Sequence, residues 1–450
     1  MGCGRFGREI AKVMANNHCR VTVVDENIKE LNALQNLYDI RVVHGNASEP
    51  EVLRRAGGEN AEMIIAVTSN DEVNLVACRL CSIMFDTPKI IARICDNYSN
   101  FNGDISMEEF FGIDYVFSPE QIIADNICDI IFHPGCSSVY RFPNQSVLLA
   151  SVNVDSGGEM VGETIANVRK KHPDIDFRIV AVYRDSDIYS PKGDTRLFAG
   201  DEIFIVIEES YMDTLLPLLT GQTGSGKIFI SGGGQIGERV ARKIEENCRV
   251  KIMEHSIERC AYLSASLDTV LVIKGRATDE NRWIENDLSD ADVYCGLTND
   301  DGENILSSLI AKKIGAKRGV VLINNLSFLP VINREIDNVI VPSQISMGAI
   351  LSHIRVGDID AVHSLHRGKA EVIEATVHGT QENCEIIGKE IKNISWPEKC
   401  TPGALIRGDE MMIAHDNVVL QDNDKLIVFV DGGKNIKELS KMLQVNVNYF

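Results

Sequence analysis

Short apolar runs alternate with amphipathic helical patterns in residues 1–135, and the same alternation begins again at residue 227. Runs of strand length interleaved with helices of period 3.6 are typical of βαβ units, which predicts an α/β fold with a parallel sheet in each stretch. In the first stretch the predicted strands are Val21–Val24, Ile40–His44, Met63–Val67, Ile90–Ile94 and Tyr115–Phe117, and the predicted helices are Ile28–Leu37, Glu51–Ala56 and Glu72–Met84.

Each of these stretches is followed by a shorter, strand-rich segment. Gly162-Glu163-Thr164-Ile165 in the first such segment is matched by Gly388-Lys389-Glu390-Ile391 in the second. Residues 221–226 are rich in glycine and small polar residues and are predicted to be a flexible linker. The sequence therefore predicts four domains in the order A-B-A-B, at residues 1–135, 136–220, 227–352 and 356–445.

A further helix is predicted after Ser118, which is a suitable N-cap, with Pro119 in the first turn. Its broad apolar stripe consists of Ile122, Ile123, Ile127, Ile130 and Ile131. Two interpretations stay open at this point: the helix covers the sheet of its own unit, or it crosses onto a partner subunit of an oligomer.

The strongest local motif is a glycine loop that occurs twice, as Gly2-Cys3-Gly4-Arg5-Phe6-Gly7 and as Gly232-Gly233-Gly234-Gln235-Ile236-Gly237. Glycines at this spacing permit a tight turn and bring backbone N–H groups close to a pyrophosphate at a helix N-terminus. The sequence thus predicts two nucleotide sites, with Gly4 and Gly234 nearest the phosphates.

Other residues recur with the loops and complete the predicted sites. Asp25 and Glu254 follow at the end of the next strand, where a carboxylate accepts hydrogen bonds from ribose hydroxyls and repels a 2′-phosphate, which favours NAD or an adenine nucleotide over NADP. Thr68 and Thr298 end a later strand, on the side of the sheet where ligands bind. The loop side chains Arg5 and Phe6 in one copy and Gln235 and Ile236 in the other are assigned to the same sites. Because Arg5 can contact a phosphate and Gln235 carries no charge, the two sites are predicted to differ in phosphate preference.

The two copies differ before the glycine loop. Lys227–Ser231 is a predicted strand in the second copy, whereas only Met1 precedes Gly2 in the first. In a doubly wound sheet this strand is central. We therefore expect the native chain to begin a few residues earlier with a short apolar segment, and the first unit and site of the given chain to be weakened.

Composition narrows the functional classes. A net charge of −20 without clustered basic residues argues against nucleic acid binding. No apolar run approaches the roughly 18 residues that span a bilayer, and no secretory signal opens the chain. Twelve scattered cysteines suit a reducing cytosol. The pair Cys78 and Cys81 is open to two interpretations, small buried apolar side chains or a zinc or redox pair.

The glycine loops, the two acidic residues, the Thr-x-x-Asp-x-x-Asn blocks at Thr68–Asn74 and Thr298–Asn304, and the two strand-rich tails together resemble the TrkA family of Trk-type potassium uptake systems. The resemblance implies two tandem RCK modules, each a Rossmann-like doubly wound parallel sheet followed by a small α+β TrkA-C domain. It places Gly2, Gly4, Gly7 and Asp25 in one site and Gly232, Gly234, Gly237 and Glu254 in the other. The family commonly has Gly-Asp-Ala after the third strand, where this chain has Asn46 and Arg276.

The resemblance also implies a function. Members form a cytosolic ring, here expected to be a homotetramer, beneath a membrane-embedded potassium transporter, and they are peripheral to the inner face of the membrane. Binding of NAD(H), with ATP or ADP as alternatives, changes the ring and gates ion flux. No enzymatic activity is expected.

Two other functions are consistent with the motifs. An NAD-dependent oxidoreductase would need a positioned general acid or base, and the ten histidines show no motif-bound placement. The chain is also consistent with a regulator of a different RCK-controlled channel or exporter.

Overall fold

The computed structural model describes most of the chain, in two compact units that are built mainly of Met1–Ile122 and of Ile123–Pro342 with Arg355–Val447. The described residues are 1–16, 19–95, 106–142, 146–185, 187–222, 224, 226–330, 332, 336–346, 356–357, 359–365, 370–379, 384, 386–408, 410–431, 433–443 and 447–448. The predicted linker at 221–226 falls partly outside them, at residues 223 and 225. Among the described helices none is long and apolar enough to cross a bilayer.

The first nucleotide unit is a βα alternation with two short parallel sheets. Its elements are α1 (Arg5–Asn16), β1 (Thr22–Asp25), α2 (Ile28–Gln35), β2 (Arg41–His44), α3 (Pro50–Ala56), β3 (Ile64–Ala66), α4 (Asp71–Phe85), β4 (Ile90–Arg93), α5 (Met107–Phe111) and β5 (Tyr115–Phe117), followed by α6 (Pro119–Phe132). One sheet pairs β1 with β2, and the other has the order β3-β4-β5. Met1 lies between them, because Gly2 N donates to Val24 O at 2.8 Å and Val67 N donates to Met1 O at 2.9 Å.

The second nucleotide unit has one continuous sheet. Its elements are β11 (Lys227–Ser231), α9 (Gln235–Ile244), β12 (Arg249–Glu254), α10 (Ile257–Ser266), β13 (Leu271–Lys274), α11 (Glu280–Glu285), β14 (Val293–Gly296), α12 (Asp301–Ile314), β15 (Arg318–Leu322) and β16 (Asn338–Ile340). All six strands are parallel, in the order β13-β12-β11-β14-β15-β16. Strand β11 thus occupies the place that Met1 occupies in the first unit.

The strand-rich domains share one topology. The first contains β6 (Cys136–Arg141), β7 (Val147–Asn153), α7 (Ile165–Lys171), β8 (Phe177–Arg184), β9 (Asp187–Tyr189), β10 (Glu202–Glu208) and α8 (Met212–Thr220). The second contains β18 (Ile359–Leu365), β19 (Ala370–Thr376), β20 (Cys400–Arg407), β21 (Glu410–Ile413), β22 (Lys425–Asp431) and α13 (Gly433–Met442), flanked by β17 (Val356–Gly357) and β23 (Val447–Asn448). The sheet orders β6-β7-β10-β8-β9 and β18-β19-β22-β20-β21 correspond strand for strand. The predicted fold class, two tandem α/β modules each with a small α+β domain, is confirmed.

The two small domains pack on each other through an apolar sheet interface. Buried side chains of both sheets form one core, in which the rings of Phe204 and Phe429 lie 5.5 Å apart. At its edge His415 Nε2 lies 2.6 Å from Asp176, and Arg178 pairs with Asp416 at 3.2 Å. The duplication therefore supplies two faces that bury each other within one chain.

The helix after Ser118 follows the first interpretation at its start, where Ile122 packs against the core of its own unit that contains Ile91 and Phe117, while its crossing onto a partner subunit stays a prediction. Ser118 does cap it, since Gln121 N donates to the Ser118 hydroxyl at 3.3 Å. From Ile123 onward, however, α6 packs against the second parallel sheet of the same chain: Lys243 pairs with Asp125 at 2.7 Å, and Arg318 donates to the carbonyls of Ile130 and Ile131, each at 3.2 Å. A stripe of isoleucines indicates that a helix is buried but not which surface buries it.

The pair Cys78 and Cys81 on α4 is fully buried. Burial raises the pKa of the Cys78 thiol to about 12 and that of Cys81 to about 11. Both side chains contribute to the core of the first unit, as the apolar interpretation predicts.

Candidate nucleotide sites

The first glycine of each loop makes the turn from strand to helix. Gly2 has φ +97° and Gly232 has φ +107°, a backbone region that side chains other than glycine rarely adopt. A Cβ on Gly2 would also lie 2.8 Å from the carbonyl oxygen of Val67, and one on Gly232 equally close to the carbonyl of Leu297. The turn therefore requires glycine for both its conformation and its packing.

The other two glycines of each loop have different surroundings, one facing the loop itself and the other facing free space. A Cβ on Gly7 or Gly237 would overlap the carbonyl oxygen of the first glycine in its own loop, so these positions let helix and strand approach. Gly4 and Gly234, by contrast, have no atom within 4 Å of a Cβ position. They directly precede α1 and α9, whose first N–H groups have no partner within the helix and suit an anion.

Each predicted acidic residue is bound to its own loop. Asp25 accepts from Cys3 N at 2.5 Å and from Asn27 N at 2.7 Å. Glu254 accepts in the same way from Gly233 N at 2.9 Å and from Ser256 N at 2.8 Å. A carboxylate has about four lone-pair positions, so it can still accept from a ribose hydroxyl. The loop and the acid are thus joined by the same hydrogen bonds in both units.

A cavity of about 580 Å³ opens over the first loop. This is the size of a small-molecule or cofactor site. Of the residues predicted for the first site, those that line it are Gly2, Gly4, Arg5, Phe6, Asp25 and Thr68, while Gly7 lies behind the loop. Gly232, Gly234, Gln235, Ile236, Gly237, Glu254 and Thr298 occupy the corresponding loop, helix and strand-end positions of the second unit.

Thr68 and Thr298 belong to a buried clamp that the sequence motif did not reveal. Asn304 is fully buried; its Oδ1 accepts from Thr298 N at 2.9 Å and from the Thr298 hydroxyl at 2.8 Å, and its Nδ2 donates to the carbonyls of Thr298 and Leu322, both at 2.9 Å. Asn74 makes the same bonds to Thr68 and to the Arg93 carbonyl. The Thr-x-x-Asp-x-x-Asn blocks therefore hold the carboxyl ends of two strands together beneath the sites.

Arg93 is a residue of the first cavity that sequence reasoning missed. Its guanidinium donates to the Thr68 carbonyl at 3.2 Å and to Glu120 at 2.8 Å, and its central carbon lies 6.0 Å from the centre of the Phe6 ring. Burial alone would lower the pKa of Arg93, but Glu120 raises it above its usual value. The signal was available, since Arg93 ends a predicted strand at the ligand side of the sheet. The second unit has Leu322 at this position, as the matching bonds from Asn74 and Asn304 show.

In both units a guanidinium donates a hydrogen bond to the loop. It belongs to the helix that follows the loop in the first unit and to the next helix along the chain in the second. In the first unit Arg8 on α1 donates to Cys3 O at 3.2 Å and pairs with Glu30 on α2. In the second unit the charges are exchanged: Arg259 on α10 donates to Gly233 O and pairs with Glu238 on α9, both at 2.6 Å. The same contact is thus preserved with the opposite arrangement of charges.

The two departures from the family pattern differ in their surroundings. Asn46 lines the first cavity and donates to Glu26 Oε1 at 3.0 Å, while its own Oδ1 accepts from Ser48 N at 2.8 Å. Arg276 is exposed in the corresponding loop of the second unit.

Comparison with known proteins agrees with this architecture. The TrkA-N domain model matches residues 1–119 and 228–342, and the TrkA-C domain model matches residues 149–220 and 380–444. The Trk system potassium uptake protein TrkA of Halomonas elongata is 39% identical over 452 residues, covering 100% of this chain and 99% of the relative. The protein of the same name from Vibrio alginolyticus is 35% identical, covering 99% of this chain and 98% of the relative.

Solved structures show the same fold. The GsuK RCK domain superposes with a TM-score of 0.62 at 18% identity, covering 98% of this chain and 94% of that one. The GsuK channel bound to NAD gives a TM-score of 0.61 at 18% identity, covering 98% of this chain and 77% of that one. With a relative that is 39% identical along its whole length and both domain models matched twice, this chain belongs to the TrkA family of Trk system potassium uptake proteins.

Proposed function

We propose that this protein is the nucleotide-sensing regulatory subunit of a potassium uptake system and that it gates a membrane-embedded Trk-type transporter. The observation that carries the proposal is the duplicated loop. In each copy a glycine with free space beside it precedes a helix N-terminus, and a carboxylate lies at the end of the next strand. The ligand is NAD(H), with ATP or ADP as alternatives. The GsuK channel bound to NAD has the same fold, and the relatives named above carry potassium uptake in their names.

The role is regulatory rather than catalytic. A ligand shifts a conformational equilibrium by binding two states with different affinity, and the coupling is typically about 1–3 kcal/mol. Two nucleotide units attached to two small domains suit such coupling, because binding at a loop can change how the units pack. Turnover of NADH with any of a panel of substrates at an ordinary enzymatic rate would contradict this part of the proposal.

We place the protein in the cytoplasm, bound to the inner face of the membrane through the transporter, in a ring that is a homotetramer. Symmetric rings allow small changes in each subunit to add up at a central partner. Light scattering of the purified protein should report the tetramer mass at micromolar concentration, and a monomer would contradict the ring.

Calorimetric titration with NADH, ATP and ADP tests the sites directly. We expect Asp25→Ala and Glu254→Ala each to weaken one site by about 1–3 kcal/mol, because each removes a charged acceptor for ribose that is half-buried in the first unit and buried in the second. Asp174→Ala, which removes an exposed carboxylate from the first small domain, is the matched control and should change nothing. Unchanged affinity in both site variants would overturn the assignment.

Potassium flux tests the function. In vesicles that contain the cognate transporter, adding the subunit should make potassium flux depend on nucleotide, and the variant with both acids replaced should bind the transporter without that dependence. Flux that responds equally to nucleotide with and without the subunit would contradict gating.

A further inference from the structure

Three positions surround each ribose-binding carboxylate, and we call them the rim positions. The first rim position directly follows the acid in the chain. The second is paired with the acid on the neighbouring strand, and the third lies two residues after the second. The strand registers pair Asp25 with His44 and Glu254 with Lys274, and the next glycine N–H donates to the carbonyl of the acid at 3.0 Å in both units. The rim positions therefore coincide: Glu26, His44 and Asn46 in the first unit, and His255, Lys274 and Arg276 in the second.

The first rim is hydrogen-bonded to itself and contains one acid, Glu26. His44 Nε2 lies 2.9 Å from the carbonyl oxygen of Glu26, and Asn46 donates to the Glu26 carboxylate at 3.0 Å. Glu26 and Glu30 line the same cavity as Asp25. Arg5, Arg8 and Arg93 line this cavity too, but Arg8 pairs with Glu30 and Arg93 with Glu120. Asp25 and Glu26 are the adjacent carboxylates at the strand end, and they disfavour a further negative charge on the ribose, since like charges at short distance repel.

The second rim carries only basic side chains. Lys274 and Arg276 are exposed, and the side chain of His255 is 78% exposed with its Nδ1 2.9 Å from Glu254 Oε1. The Glu254 side chain is only 8% exposed, and both its oxygens already accept backbone N–H bonds. The acid is therefore recessed, while the basic groups stand at the surface around it.

The neighbouring acids have other hydrogen-bonding partners. The pKa of Glu258 is lowered by a backbone hydrogen bond, by Ser256 and, more weakly, by the charge of Lys274. Asp279 caps α11 by accepting from Arg282 N at 3.2 Å. The three basic residues thus occupy the positions around Glu254 at the strand ends, where the ribose of a nucleotide would lie.

We propose that the second unit binds an adenine dinucleotide that carries a phosphate on the adenosine ribose, as NADP(H) does, whereas the first unit takes the unphosphorylated form. The inference rests on the proposed function, and it reverses for the second unit the expectation that Glu254 excludes a 2′-phosphate. Arginine beside the ribose position is how such folds accept a 2′-phosphate, through charge-assisted and bidentate bonds. One chain would then sense two cofactor pools.

Titration of the full chain with NADH and with NADPH tests the inference. Asp25→Ala weakens the first site and isolates the second, where NADPH should bind at least tenfold more tightly than NADH. Replacing His255→Glu, Lys274→His and Arg276→Asn together installs the first rim and should abolish that preference. The reciprocal set Glu26→His, His44→Lys and Asn46→Arg, in a chain with Glu254→Ala, should raise NADPH affinity at the first site. All six positions lie at the surface or half-buried, and thermal unfolding checks that each variant is folded.

The outcomes separate this inference from the proposed function. If NADH binds the Asp25→Ala chain as tightly as NADPH, or if an NADPH preference survives the exchange of rim residues, the inference is wrong while nucleotide sensing stands. If neither dinucleotide, nor ATP or ADP, binds any of these chains, the proposed function itself fails. A preference that follows the rim residues in both directions is the expected result.

Discussion

The glycines of each loop occupy three different environments, although the sequence motif writes them alike. Gly232 needs its positive φ, Gly237 packs its Cα against the Gly232 carbonyl, and Gly234 faces open space. Only the last of these positions has room for a methyl group. Single substitutions can therefore separate the folding of the loop from its binding of a ligand.

Gly237→Ala should lower the stability of the second unit, whereas Gly234→Ala should lower its affinity for nucleotide. The first forces a methyl group into a backbone carbonyl that cannot rotate away, and we expect a loss at the upper end of the roughly 1–3 kcal/mol that overpacking costs. The second should leave stability unchanged, because its φ of −65° suits alanine, while nucleotide affinity falls since the methyl group blocks the phosphate. Urea unfolding and calorimetry measure the two quantities. Equal destabilisation by both variants would contradict the division of roles.

The ion pair beside each loop, with its charges exchanged between the two units, can be tested by substitution. Arg8→Glu places two carboxylates together and removes the bond to Cys3 O, and we expect a loss of about 1–2 kcal/mol, since the pair is partly exposed. Adding Glu30→Arg reproduces the charge order of Glu238 and Arg259 and should recover most of that loss. A double-mutant cycle by urea unfolding measures the coupling. A double variant as unstable as the sum of the single ones would show that the two arrangements are not equivalent.

At the scale of elements, one helix in each unit holds two strand ends in place. Besides Asn304, α12 contributes Asp301, whose two oxygens accept from Asn324 N at 2.8 Å and Asn325 N at 2.7 Å. Asp71 on α4 accepts from Cys95 N at 2.7 Å in the same way. Because backbone groups after a strand have no ladder partner, these side chains satisfy them and set the shape of the floor of the site.

Asn304→Ala should therefore be severe for a single polar residue. It leaves the Thr298 N–H and the carbonyls of Thr298 and Leu322 without their partner, which we expect to cost roughly 2–4 kcal/mol in the second unit. Thr298→Val is the matched control: it removes only the hydroxyl and should cost about 1 kcal/mol. Urea unfolding compares the two, and similar losses would mean that Asn304 does not act as the clamp.

At the scale of the whole molecule, the duplication is used to complete the core of the second compact unit. The last turns of α6 lie against the second sheet, and the two small domains share one apolar interface. Arg318, which is buried, satisfies the carbonyls of Ile130 and Ile131, which no helical N–H can reach. Burial lowers the pKa of Arg318, a sign of how little solvent reaches the contact.

Arg318→Ala should destabilise the unit by about 2–4 kcal/mol, because two buried carbonyls lose their donors. Lys89 stands at the corresponding position of the first unit, directly before β4, and is half-buried, so Lys89→Ala is the control and should cost less than 1 kcal/mol. Differential scanning calorimetry measures both. An Arg318 variant that melts like the wild type would show that α6 is held by its apolar face alone.

The sequence by itself determined the features that are local in the chain. Periodicity located most predicted strands and helices of the first unit to within one or two residues, the repeated motifs indicated the tandem fold and the family, and the glycine spacing predicted the loops. These predictions succeed because a turn, a helix face or a cap depends on residues that are only a few positions apart in the chain. The assignment of individual site residues to a bound nucleotide stays a prediction.

The tertiary structure decided what depends on residues far apart in the chain. The surface that α6 covers includes Arg318, 187 residues from Ile131, and the Arg93 guanidinium in the first cavity is held by Glu120, 27 residues away. The exchange of charges between Arg8 with Glu30 and Glu238 with Arg259 becomes visible only when both loops are compared in space. A sequence pattern states that a side chain is buried or charged, but its partner is chosen by packing, since apolar burial is not directional and a charge pairs with whichever group the fold brings near.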